Sequence, residues 1–264
     1  MDRAKTSGWV ARVGGVSTKR LAALLLVLAA LPLITVSASA QSDIDFDPAI
    51  TQEEFASFSR LVAQGIYASP VDPARARGLL GFDVGVAATA IPVDTNASYW
   101  LKSVGDDFSI SDHVVVPRLV ASKGLSFATL SAMYSKVPDT EIQLWGAAID
   151  VPILNGGVVT PTVAVRGAYS TLQGVDELEM KTYGLELFIS KGFGPITPYA
   201  AAGRARSDST ATIVLPSGTR SLTDEADSNR FTVGVKLSLL LPKIIVEATQ
   251  GEERSYAAKV SFGF

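Results

Sequence analysis

Cysteine is absent from this chain of 264 residues, and histidine occurs once, at His113. Without cysteine there is no disulfide-stapled scaffold, no thiolate metal site, no catalytic thiol and no lipid-bearing N-terminal cysteine. One histidine leaves little for histidine-based metal chemistry. Charge of one sign is also scarce, since the formal net charge is -3. It is unevenly spread. Residues 1–40 hold five basic residues (Arg3, Lys5, Arg12, Lys19, Arg20) against Asp2, whereas residues 41–264 hold 18 basic and 25 acidic residues. An acidic remainder of this kind argues against nucleic acid as a partner.

Only one long apolar run is present. Basic residues ending at Lys19 and Arg20 precede Leu21 to Val36, followed by Ala38-Ser39-Ala40, the small-x-small pattern accepted by a signal peptidase. The run contains Pro32 and falls short of the roughly 20 residues needed to span a bilayer as a helix. Residues 1–40 therefore read as a cleaved secretory signal peptide, and the exported chain is expected to start at Gln41.

Residues 41–77 are read as a short helix and a linker. Thr51 with Glu54 three residues on is a capping-box start. Phe55, Phe58, Leu61, Val62 and Ile66 then recur at helical spacing, which makes one face of Gln52 to Ala68 apolar. Such a face packs against the rest of the protein; a plug in a lumen and a periplasmic docking helix are the other roles open to it. Ser69 to Arg77 holds two prolines and no periodicity, as linkers do.

From Gly78 the apolar period becomes two. Phe82, Val84, Val86, Ala88 and Ala90 alternate with Asp83, Gly85, Ala87 and Thr89, the spacing of a strand. The pattern predicts about ten strands: Leu80–Ile91, Val114–Ser122, Leu125–Lys136, Glu141–Val151, Thr160–Leu172, Leu178–Lys191, Thr197–Arg206, Asn229–Leu241, Lys243–Gln250 and Ser255–Phe264. One parity is apolar, as in Tyr183, Leu185, Leu187 and Ile189, or Phe231, Val233, Val235 and Leu237. The other carries charged and small residues, among them Arg166, Glu186, Arg230, Lys236 and Lys259. The facing of the second strand is left open by Val114, Val115 and Val116 in a row. Alternation alone also suits a soluble sandwich. The connections favour a membrane barrel, because those on one side are mostly short while the other side includes Pro92–Asp112 and Ser207–Ser228, read as long loops.

The chain stops on Ser255-Tyr256-Ala257-Ala258-Lys259-Val260-Ser261-Phe262-Gly263-Phe264. In this terminus, and in its alternating strands over residues 78–264, the chain resembles the bacterial outer-membrane β-barrels. That resemblance implies an all-β, antiparallel up-and-down transmembrane barrel in the cell outer membrane. It also implies that Tyr256, Val260, Phe262 and Phe264 form a signal read by the barrel-assembly machinery, and that outer-membrane lipid surrounds the barrel. With an even strand count, the helix and linker would lie in the periplasm.

A closed sheet is the only sheet that leaves no unpaired backbone edge in hydrocarbon. Ten strands make a narrow ring, so the lumen is expected to be largely filled by side chains. Asp83, Arg118, Arg166, Glu186, Arg204, Lys236, Glu247 and Lys259 are the candidate lumen residues, expected to pair across the interior.

A search for chemistry finds little. Ser109, Asp112 and His113 lie together in sequence, yet triads are assembled by the fold and strand neighbours point to opposite faces. The His-x-Ser pattern of outer-membrane deacylases is missing, since Val114 and Val115 follow His113. Asp106, Asp107 and Asp112 lack the ligand spacing of a calcium loop. Tyr99 and Trp100 suit an interface anchor, and Trp145 a lipid-facing or packed ring. No cofactor or metal site is expected. The sequence thus points to a non-enzymatic barrel acting in envelope structure or in contact with an extracellular ligand. A narrow pore for small solutes or an apolar ligand is the alternative, and an outer-membrane hydrolase the third reading.

Overall fold

The computed structural model describes residues 44–104, 112–136, 142–240 and 242–264. The predicted signal peptide and its cleavage point lie outside the described residues, as do Asp106, Asp107 and Ser109. Within them the chain forms two helices, α1 (Gln52–Ile66) and α2 (Ser98–Leu101), and ten strands. The strands are β1 (Phe82–Pro92), β2 (His113–Gly124), β3 (Thr129–Lys136), β4 (Gln143–Leu154), β5 (Thr162–Gln173), β6 (Leu178–Ser190), β7 (Ile196–Leu215), β8 (Gly218–Ser238), β9 (Pro242–Gln250) and β10 (Arg254–Gly263).

Each strand pairs antiparallel with the next, and β1 pairs with β10 from Asp83↔Gly263 to Ala90↔Tyr256. The ring is therefore closed, which removes both sheet edges. Phe264 N donates to Phe82 O at 3.0 Å, and their rings meet edge-on at 4.6 Å, so the seam is held on its backbone and its outer face.

The two parities of each strand face opposite ways. Val84 and Val86, Leu119, Trp145 and Ile149, Leu185, Leu187 and Ile189, Phe231, Val233 and Val235, and Phe262 are exposed on the outside. Asp83, Arg118, Arg166, Glu186, Lys236 and Lys259 are buried on the inside. On β2 the even residues point inward, which resolves the run of valines: Val114 and Val116 face the lumen and Val115 faces out.

The strand starts and ends define two rims. At the turn rim β1 begins, β10 ends, and connections 125–128, 155–161 and 191–195 and the short link between β8 and β9 join the strands. The opposite, loop rim carries α2 in the β1–β2 connection and the tip of the β7–β8 hairpin. Residues 207–228, expected to be a loop, are instead a regular two-stranded arm, paired from Ser207↔Ala226 up to Leu215↔Gly218. Its alternation of Ser207, Ser209, Ala211 and Ile213 on the buried side explains why it stays a strand: that side has something to pack on.

What it packs on is α1. Thr51 Oγ1 accepts from Glu54 N at 3.3 Å and Glu54 Oε2 accepts from Thr51 N at 2.8 Å, the reciprocal cap seen in the sequence. The helix is not an appendage outside the barrel wall. It lies inside the barrel, touching β1, β2, β5, β6, β7, β8 and β10. Ser59 and Gln64 are buried along with the apolar face, which an amphipathic stripe alone does not announce, while Gln52, Glu53, Ser57 and Arg60 stay exposed.

Candidate functional site

The lumen is filled by residues 44–77, and its two halves differ chemically. Toward the loop rim, inward side chains are apolar: Ile91, Leu144, Leu172, Leu178, Met180, Ile213 and Leu222 form one cluster with Phe46, Ile50, Phe55, Phe58, Leu61 and Ile66 of the segment. Phe46 meets Phe55 and Phe58 edge-on at 5.8 and 5.7 Å, a favoured ring geometry. Trp100 of α2 is buried 6.3 Å from Phe58. It closes the top of this cluster and is not the membrane-interface anchor expected of it. Trp145 does face outward, 4.6 Å from Tyr134.

Below the helix the lining becomes polar, and the chain runs on as an extended strap. Helix α1 ends with carbonyls that lack intrahelical partners. Arg118 supplies them, donating from Nη2 to Gly65 O at 2.6 Å and from Nη1 to Tyr67 O at 2.9 Å. Gln64 Nε2 donates to Ser255 Oγ at 2.7 Å, and Arg230 Nη1 donates to Gln64 Oε1 at 2.8 Å.

Tyr67 sits under Arg230, whose guanidinium lies 3.8 Å from the ring centroid, and donates to Glu186 Oε2 at 3.1 Å. The close fit requires glycine at position 184, where an added Cβ would stand 2.6 Å from Tyr67 Oη and 2.8 Å from Arg204 O.

Further down, Ser69 Oγ and Tyr199 Oη donate to Glu247 at 3.0 and 2.8 Å. Val71, fully buried, turns the strap with φ at 49°, a conformation that costs a β-branched residue on the order of 1–3 kcal/mol. The turn places Pro70 O within 2.9 Å of Lys259 Nζ and Asp72 O within 2.9 Å of Arg166 Nη2. Arg166 is clamped in turn by Asp150, at 2.6 and 3.0 Å.

Two carboxylates organise the turn rim. Asp72 accepts from Lys236 Nζ at 2.7 Å, pairs with Arg77 and lies 3.6 Å from Lys259 Nζ. Asp83 accepts from Lys243 Nζ at 2.8 Å and from Ser261 Oγ at 3.2 Å, and lies 3.3 Å from Lys259 Nζ and 3.6 Å from Arg77 Nη1. Thr129 Oγ1 donates to Arg75 O at 2.8 Å and accepts from Arg77 N at 3.1 Å, which ties the strap to β3. Buried charges require such partners, because desolvation outweighs a poorly made pair.

Of the eight residues assigned to the lumen from sequence, Asp83, Arg118, Arg166, Glu186, Lys236, Glu247 and Lys259 line it. Arg204 does not. It is exposed on the outside of β7 and donates to Asn229 Oδ1 at 3.3 Å. Nor do the charges simply pair wall to wall, since Arg118, Lys236 and Glu247 bond to the segment. The sequence reading missed Tyr67, Asp72, Arg75 and Arg77, because a proline-containing stretch without periodicity reads as a linker. Tyr256, Phe262 and Phe264 are exposed on the outer face of the closing strand, and Val260 is half-buried there. His113 is exposed at the loop rim beside Asp112. Among the described residues, no group of three or more acidic or histidine side chains could hold a metal ion.

The outer face is apolar, the buried charges all point inward, and the sheet has no edge. This is a transmembrane β-barrel. No protein-family model matches the chain, and no curated protein matches it. Among solved structures it is similar to the N-terminal β-barrel domain of Pseudomonas aeruginosa OprF, with 14% identity, 69% of this chain and 97% of that chain covered, and a TM-score of 0.32. It is similar also to Neisserial surface protein A, with 11% identity, coverage of 69% and 97%, and a TM-score of 0.34. A third is Ail of Yersinia pestis in complex with the heparin analogue sucrose octasulfate, with 9% identity, coverage of 70% and 97%, and a TM-score of 0.31.

Proposed function

We propose that the chain is an integral outer-membrane protein whose barrel is kept shut by its own N-terminal segment, and that it works through the surface at its loop rim and not as an open pore. The observation that carries this reading is the continuous strapping of residues 44–77 to the wall. The gap beside Gln64, Tyr67, Thr182 and Arg230 holds about 20 Å³, room for a single water molecule. Outer-membrane location is supported by the apolar outer belt and by the larger excursions, α2 and the β7–β8 arm, lying at one rim. The turn rim then faces the periplasm.

Planar-bilayer recording tests the reading. Purified full-length protein should insert and pass no steady current, and a reproducible open conductance from the intact protein would overturn it.

A second reading is favoured by the wall itself. Ser122, Ser131, Ser170, Thr182, Thr232, Thr249 and Ser261 are inward and polar, so a lumen freed of the segment would be wettable. A chain lacking residues 44–74 should then conduct. Among the described residues, no nucleophile is assembled with His113 at the rim, so the geometry lends catalysis no support.

A further inference from the structure

The lumen segment has a direction. Its first described residues are fixed at the loop rim, where Ile44 bridges to Val104 and Asp47 N donates to Lys102 O at 2.9 Å. Arg220, near the tip of the β7–β8 arm, donates to Pro48 O at 3.2 Å and Ile50 O at 2.8 Å. The same segment ends at the opposite rim, where Asp72 and Arg77 join Asp83 and Lys243, and the chain turns through Gly78 into β1. Between those points it is helical or extended and runs one way through the barrel.

On the orientation proposed above, the loop rim faces the outside of the cell. We infer that the N-terminal end of the segment, at Ile44 and Asp45, opens at the cell surface, with residues 46–77 serving as an internal tether that holds it there. The barrel thus carries that end across the membrane as part of its own assembly. This reverses the periplasmic placement expected from the sequence.

The absence of cysteine makes the test clean. Three single substitutions are introduced separately into the full chain in living cells: D45C at the start of the segment, where Asp45 is exposed, S217C at the tip of the β7–β8 arm, and S126C in the β2–β3 turn. Each is treated with a membrane-impermeant maleimide before and after the outer membrane is permeabilised. The inference expects D45C and S217C to label equally under both conditions and S126C to label only after permeabilisation. Labelling of S217C in intact cells with D45C reacting only after permeabilisation, or not at all, overturns the inference while leaving the orientation intact. Labelling of S126C but not S217C in intact cells overturns the orientation on which it rests.

Discussion

Lys236 on β8 donates to Asp72 in the lumen strap at 2.7 Å, fully inside the barrel. Through this contact the wall holds a part of the chain that has no regular secondary structure.

Replacing Asp72 by Asn should unseat the strap, since Lys236, Lys259 and Arg77 would keep their charge and lose its partner. Removing one member of a buried pair costs about 3–5 kcal/mol. The barrel itself should persist. The measurement is limited proteolysis of residues 67–77, with D72N cut faster than the parent while the β-sheet circular dichroism is unchanged. Cleavage at the parent rate would show that the strap is held without Asp72.

Tyr67 and Gly184 should behave as a coupled pair. G184A places a methyl group where the phenol lies and should break the Tyr67 bond to Glu186, whereas Y67A made together with G184A should remove the clash with the phenol and leave only that with Arg204 O. A double-mutant cycle on thermal unfolding in detergent checks this; coupling energies for contacting residues run to about 0.5–3 kcal/mol. Strict additivity would mean that the two do not touch in the folded protein.

Phe58→Ala should loosen the top of the lumen. Its ring packs on Phe46 and Trp100 and is buried, and deletion of such a ring costs about 3–5 kcal/mol. Trp100 fluorescence should shift to the red if the cluster opens. An unshifted spectrum with unchanged stability would count against a packed cluster here.

The seating of α1 should depend on pH. Glu54 at the loop rim is lowered from 4.5 to about 2, first by the hydrogen bond from Lys102, at 2.8 Å, and then by the backbone of Thr51. A carboxylate depressed in the folded state contributes stability that is complete above its unfolded value and lost as pH falls through its folded one. Anchoring of the helix start should therefore weaken between about pH 4.5 and pH 2. E54Q should flatten the response in hydrogen exchange at Thr51 to Phe55. An identical pH profile in E54Q would place the dependence elsewhere.

The barrel was legible because its code is local. Period two over β6, β8 and β10 sets one parity toward hydrocarbon and the other toward the lumen, and that needs no knowledge of distant partners. The capping box at Thr51 and Glu54 was legible for the same reason. What stayed hidden is what depends on enclosure. Pro70 and Pro73 deny Ser69 to Arg77 any period, so nothing local distinguishes a solvent-exposed linker from a strap whose carbonyls bond to Lys259 and Arg166. Arg204 was misplaced because its strand continues beyond the apolar belt, where outward residues turn polar and parity no longer separates lumen from exterior. The β7–β8 arm was hidden likewise: its Ser, Thr and Asp content reads as a loop until α1 is there to cover.

The fastening of the segment at successive depths has a mechanical consequence. A load applied outward at Ile44 runs along the segment, parallel to the barrel axis, so the contacts of Arg118, Glu186, Glu247 and Lys236 share it simultaneously. Attachments stressed in shear resist together, whereas a zipper opened from one end yields one tooth at a time. The strap is therefore suited to bear traction on whatever is attached outside, with the closed wall as its anchor.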